Sequence, residues 1–67
     1  MERVPVVSSA LRSVGYDEGT LEIRFVNRSV YRYFDVPERV HARLMEASSH
    51  GEFFNAHIRE RFRYERV

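Results

Sequence analysis

The chain of 67 residues contains no cysteine and no lysine. Without thiols it has neither a disulfide nor a thiolate site, so any metal would fall to its three histidines and its carboxylates. A thiol-free chain is also indifferent to redox compartment. No apolar run approaches membrane-spanning length, and the opening Met-Glu-Arg-Val-Pro-Val-Val-Ser lacks the uninterrupted apolar core of a signal peptide. The expectation is a soluble cytoplasmic protein with no membrane partner. A net charge of +1 excludes a global electrostatic attraction to nucleic acid. What is present in quantity is arginine, which supplies all eleven basic residues. Arginine forks suit phosphates and base faces, although the codon bias of a GC-rich genome is the simpler explanation of their number.

At this length one domain over residues 1–67 is expected, burying about 60% of the surface its unfolded chain exposes. Pro5 confines any strand in Met1–Val7 to an edge or to a partner chain. Ala10–Tyr16 reads as a first full strand, and Asp17-Glu18-Gly19 as turn chemistry with a glycine free to take positive φ. In Thr20–Val26, Leu21, Ile23 and Phe25 alternate with Glu22 and Arg24, the pattern of a sheet with one buried face. Asn27-Arg28-Ser29 then turns into the strand Val30–Val36.

Two registers are open for that second hairpin. A two-residue Asn27-Arg28 loop sets Phe25 opposite Val30 and leaves Tyr31 and Tyr33 beside Arg24 and Glu22. A three-residue loop slips every partner and moves both tyrosines to the Leu21, Ile23 and Phe25 face. Asn27 is comfortable at positive φ and Arg28 is awkward there; of the two, the shorter loop is preferred.

The segment Tyr-Arg-Tyr-Phe-Asp-Val-Pro at 31–37 converts sheet to helix, because Pro37 cannot donate to a ladder but suits a helix start and Glu38 favours the positive end of the helix. Val40, Leu44 and Ala47 then recur at helical spacing, with Arg39, Arg43 and Glu46 outward, up to Ser48. Ser49 followed by Glu52 is a capping-box pattern that opens a second short helix, extending to Arg59 or Glu60. The closing Phe-Arg-Tyr-Glu-Arg-Val alternates rings with charges and reads as a last edge strand. The expected class is α+β: a three-stranded antiparallel meander with two short C-terminal helices. Its extended ends are free to add edge strands or to close the sheet toward a small, partly open barrel.

Taken in order, Ser8-Ser9, Val14-Gly15-Tyr16-Asp17, Thr20–Phe25, Tyr31–Pro37, Gly51-Glu52-Phe53-Phe54-Asn55 and Ile58-Arg59 resemble the motifs of the KTSC domain. This short module occurs alone in bacterial proteins and at the C-terminus of some lysyl-tRNA synthetases. The resemblance spans nearly the whole chain, and it departs at Arg28, where similar members usually carry glycine in the turn. It implies no established activity, and RNA binding only through the synthetase context.

The candidate chemistry is non-enzymatic. Ser8, Ser9, Asp35, His41, His50 and His57 supply triad residue types, but no nucleophile elbow or oxyanion loop accompanies them. His50 and His57 lie two helical turns apart, about 10 Å, too far to share one ion unaided. No catalytic residue, metal site or small-molecule cofactor is therefore assigned. RNA is the first-named partner: Tyr31 and Tyr33 beside Arg24 would form a stacking platform worth about 1–3 kcal/mol per base. Arg59, Arg61 and Arg63 are placed for phosphates, with Arg66 beyond and Glu60 and Glu65 offsetting them. For Tyr31 and Tyr33, core packing outweighs the platform reading, since a chain this small has few aromatics to spare. The runner-up is a protein partner or homodimer through open sheet edges, with Val4–Val7 as a strand available for exchange. Asp35 and Asn55 are assigned local roles, Asp35 accepting backbone N–H groups at the strand-to-helix junction and Asn55 bridging helix and sheet if buried.

Overall fold

The computed structural model describes residues 1–67. Two tight turns organise its sheet. Strands β2 (Leu11–Asp17) and β3 (Thr20–Phe25) are joined by a two-residue turn in which Glu18 and Gly19 both take positive φ, 48° and 85°, the primed geometry that matches the natural twist of a hairpin. Strand β4 (Val30–Tyr33) follows a different connection. The Arg28 N–H donates to the Phe25 carbonyl (2.9 Å), the Phe25 N–H donates to the Ser29 carbonyl (2.9 Å), and Arg28 sits at φ 75°. This is a three-residue loop, Val26–Arg28, whose last residue occupies the left-handed position usually given to glycine. The Asn27 carboxamide oxygen accepts from the Ser29 N–H (3.0 Å) and hydroxyl (2.6 Å), which fixes the loop.

The two-residue loop preferred from the sequence is thus corrected, and the register slips with it. Leu21 pairs with Tyr33, Ile23 with Tyr31 and Arg24 with Val30. Opposed residues share a face, so both tyrosines join Leu21 and Ile23 on the buried side.

All five strands pair antiparallel in chain order, with β1 (Arg3–Pro5) and β5 (Tyr64–Arg66) at the edges. The sheet is open rather than closed into a barrel. Pro5 sits on edge β1, and the charged, ring-bearing tail forms edge β5, as the sequence suggested. Strand β4 is shorter than the expected Val30–Val36, because Asp35 turns the chain at φ 57° and the Val36 N–H donates across to the Gly19 carbonyl (2.9 Å). Asp35 is exposed and caps nothing; its conformation, not its carboxylate, makes the junction.

Helix α1 (Glu38–Glu46) starts after Pro37, whose carbonyl accepts from the Val40 N–H (3.0 Å). Helix α2 (His50–His57) starts at Ser49, whose hydroxyl accepts from the Glu52 N–H (3.2 Å), the forward half of a capping box. It ends earlier than expected from the sequence, and Ile58–Arg61 continue as a turn closed by the Arg61 N–H on the Ile58 carbonyl (3.1 Å). Both helices cover one side of the sheet. The core between them comprises Leu11, Val14, Leu21, Ile23, Tyr33, Val36, Leu44, Phe54 and Ile58. No helix is long and apolar enough to cross a membrane.

The opposite side of the sheet carries a charged row. Arg3 pairs with Gly15, Gly15 with Glu22, Glu22 with Arg32, and Arg32 with Glu65. The Glu22 carboxylate, 8% exposed, receives Arg3 Nε at 3.4 Å and Arg32 Nε at 3.0 Å. Gly15 lies under this bridge: a Cβ there would stand 3.0 Å from Arg3 Cγ and 3.0 Å from the Glu2 carbonyl oxygen. Any larger residue would make Arg3 and the Glu2 carbonyl give way by a few tenths of an ångström, so glycine favours the close approach by which Arg3 lies across β2 and reaches Glu22 on β3.

Candidate functional site

An open cleft of about 770 Å³ separates α2 from the strand ends of β3, β4 and β5. Its wall is a closed circuit of rings. Phe25 meets Tyr31 edge-on at 5.7 Å, Tyr31 lies 5.8 Å from Tyr64, Tyr64 lies 5.6 Å from Tyr33, Tyr33 meets Phe54 edge-on at 5.4 Å, and Phe54 returns to Phe25 at 5.3 Å. Such tilted and edge-to-face pairs each add about 0.5–1.5 kcal/mol beyond area burial, so the circuit holds the cleft's shape without a ligand. The register accounts for its position: Tyr33 opposite Tyr64 and Ile23 opposite Tyr31 place three tyrosines on the helix-facing side, where α2 brings Phe54 against them.

The tyrosines are graded from floor to rim. Tyr33 is 4% exposed and Tyr64 54% exposed, with Tyr31 between. Burial, then the neighbouring Tyr31 and Tyr64 phenols, push the Tyr33 phenol up to about 12, with the Arg59 guanidinium acting in the opposite sense. Tyr33 therefore stays a neutral O–H donor at physiological pH. Its hydroxyl has no partner within the protein, yet no buried polar side-chain atom is unsatisfied; the hydroxyl accordingly opens into the cleft. Arg59, Asn55 and Glu60 from the end of α2 and the following turn line the mouth. Flat walls, one guanidinium and a few amide and hydroxyl groups suit a planar group with a hydrogen-bonding edge.

Of the residues assigned from the sequence, Tyr31, Tyr33 and Arg59 meet at this cleft. Arg24 does not: it is exposed on the opposite face, so the platform of Tyr31 and Tyr33 beside Arg24 is not formed. The Arg63 guanidinium lies over the Phe34 ring, 5.2 Å from its centroid, at the β5 side, while Arg61 is an exposed residue of the turn after α2. Asn55 is exposed at the cleft and bridges nothing. Sequence reasoning missed Tyr64 and Phe25 as cleft residues. The ring-charge alternation of the tail was the available signal for Tyr64, but only its pairing with β4 says which rings it joins.

The residue types considered for catalysis have structural occupations. The Ser8 hydroxyl accepts from the Ala10 and Leu11 N–H groups (3.1 and 3.2 Å), bracing the entry to β2. His50 Nδ1 donates to the Leu44 carbonyl (2.8 Å), closing the end of α1, and His57 packs 4.6 Å from the Phe53 ring. His41 stacks on Tyr16 at 4.6 Å and 6°, while the Tyr16 hydroxyl donates to the Val36 carbonyl (2.6 Å). Burial against Tyr16 lowers the His41 pKa, with Glu38 pulling the other way. No three His, Asp or Glu residues come together in a way that would hold a metal ion.

The family model of the KTSC domain matches residues 7–62. The chain belongs to the KTSC domain family. A KTSC domain protein from Yersinia pestis has the same fold in its crystal structure, with a TM-score of 0.95 at 41% identity over 98% of this chain and 96% of that one. An uncharacterized protein of Stutzerimonas stutzeri is 43% identical over 70 residues, covering 100% of this chain and 99% of its relative. A lysine-tRNA ligase of Nostoc punctiforme is 38% identical over 61 residues, which are 88% of this chain but 11% of the ligase. The KTSC module is thus similar both to small proteins of its own size and to a small part of a much larger enzyme.

Proposed function

We propose that this KTSC domain is a non-enzymatic, cytoplasmic binding module for single-stranded RNA, in which an unstacked base enters the aromatic cleft. The ring circuit of Phe25, Tyr31, Tyr64, Tyr33 and Phe54, open to solvent beside Arg59, carries this reading. A base stacked on Tyr64 or Tyr31 gains about 1–3 kcal/mol, the Tyr33 hydroxyl and the Asn55 amide face its polar edge, and Arg59 meets its phosphate. Glu60 at the mouth disfavours a bare polyanion and favours a ligand with hydrogen-bond donors. The similarity to part of a lysine-tRNA ligase, an enzyme that acts on an RNA, is consistent with such a role.

The test is titration of fluorescent single-stranded RNA with the purified protein at low and moderate salt, beside Tyr64→Ala and Arg59→Gln. Both residues are exposed, so both variants should fold. Salt-sensitive binding that weakens roughly tenfold in Tyr64→Ala supports the reading; no binding at tens of micromolar protein, the weak end of non-specific affinity, removes it. A protein partner or second copy is favoured instead by the two unpaired edges and by exposed Val4, Val7 and Val67. Association that persists at high salt would identify that mode.

A further inference from the structure

A second concave site lies at the other side of the β3–β4 hairpin, about 280 Å³ in volume and lined by Arg12, Arg24, Phe25, Val26 and Arg28. Three separate devices bring its arginines together. Between Leu11 and Ser13 the β2–β3 register shifts, with Leu11 opposite Phe25 but Ser13 opposite Arg24. Arg12 is the extra residue of this bulge, which re-aims its side chain toward Arg24 instead of into the core. Arg24 itself is exposed near the loop end of β3, opposite Ser13 on β2 and Val30 on β4. Arg28 arrives through the left-handed end of the three-residue loop, a position that glycine fills at lower cost.

The charge in this groove has no internal counterweight. Both ion pairs of the chain are formed on Glu22, by Arg3 and Arg32. No carboxylate lines the groove, and none of its three arginines is ion-paired or placed over a ring. Three guanidiniums gathered around an apolar wall of Phe25 and Val26 repel one another, and a bound oxyanion relieves that repulsion while accepting their forked N–H donors. At roughly 30 Å³ per water molecule, the groove is large enough for a phosphoryl group with part of the moiety that carries it.

We infer that Arg12, Arg24 and Arg28 form a binding site for a phosphate ester. The site stands on its own geometry and does not require that a base occupy the cleft. Phe25 lines both cavities, so a nucleic-acid strand around the hairpin end can place a phosphate here and its neighbouring base there. A free phosphate compound offers the same oxyanion.

The experiment is a nitrogen-proton NMR titration of the whole chain with inorganic pyrophosphate at constant ionic strength, and in parallel with an abasic deoxyribose-phosphate oligomer. Saturable shifts at the side-chain N–H groups of Arg12, Arg24 and Arg28 and at the amides of 25–28 are expected. Binding should weaken about tenfold or more in Arg12→Gln and in Arg24→Gln, and be unchanged in Arg43→Gln, an exposed arginine of α1. Tighter binding of the oligomer identifies a nucleic-acid backbone as the source; equal binding identifies small phosphate compounds, and either supports the site. Shifts that do not saturate, or that are the same in parent and Arg24→Gln, overturn it. Tyr64→Ala should leave pyrophosphate binding unchanged, so loss of the cleft reading and loss of this one are separately visible.

Discussion

Replacing Arg28 by glycine should make this protein more stable. Arg28 holds φ at 75° to close the β3–β4 loop, and a residue with a Cβ pays about 1–2 kcal/mol in that region. Glycine avoids this cost but loses roughly 0.4–1 kcal/mol through the greater freedom of the unfolded chain. The net gain is about 0.5–1 kcal/mol, which for a domain of this size raises Tm by roughly 2–8 °C. Arg28→Ala separates the two possible origins of a gain. It keeps the Cβ but removes the guanidinium facing Arg12 and Arg24, so it reports only relief of like-charge repulsion, a few tenths of a kcal/mol at exposed positions. Thermal melts followed by circular dichroism at physiological salt would rank Gly above Ala, with Ala near the parent. A glycine variant no more stable than the parent would refute the assignment of backbone strain to Arg28, and an alanine variant equal to glycine would assign the gain to charge.

Glu22→Gln should cost about 1–2 kcal/mol, read as a lower denaturant midpoint, because the nearly buried carboxylate serves two guanidiniums and an amide oxygen replaces that acceptor poorly; the half-exposed arginines can turn to water, which limits the loss, and an unchanged midpoint would show that the charged row contributes nothing. Stability should also fall on acidification through His41. Its folded pKa lies below the ordinary 6.5, so below pH 6.5 the unfolded chain takes up a proton that the folded chain resists. The contribution is complete above pH 6.5 and declines as pH drops toward the folded pKa. His41→Phe, which keeps a ring against Tyr16, should flatten the dependence of Tm on pH in that interval; the same slope in both proteins would exclude His41 as its source.

Much of the architecture was legible because it rests on local rules. The alternation of Leu21, Ile23 and Phe25 requires a strand with one buried face, Gly19 permits the first hairpin turn, Pro37 with Glu38 starts α1, and Ser49 with Glu52 starts α2. The ordered motifs also identified the KTSC family, which the family match and the related structure bear out. The candidate site was legible only as a list of residue types. Tyr31, Tyr33 and Arg59 belong together, whereas the residue pattern alone also groups Arg24 with them, and Arg24 faces away.

Two non-local decisions account for the difference. The β3–β4 register turns on whether Arg28 accepts a left-handed conformation, and local preference argues against it. Packing overrides that preference: the three-residue loop buries Tyr33 between Leu21, Phe54 and Tyr64, and burial of a large ring outweighs about 1–2 kcal/mol of backbone strain. The bulge at Arg12 leaves no signature in composition or periodicity, since it reconciles β2 with its neighbours and is not a property of β2 alone. The sequence by itself determined the element types, their order and the family. Only the tertiary structure decided which rings share the cleft and which arginines share the groove, because a strand's period of two lets one residue's slip exchange the faces, and that choice is made by what packs across the sheet.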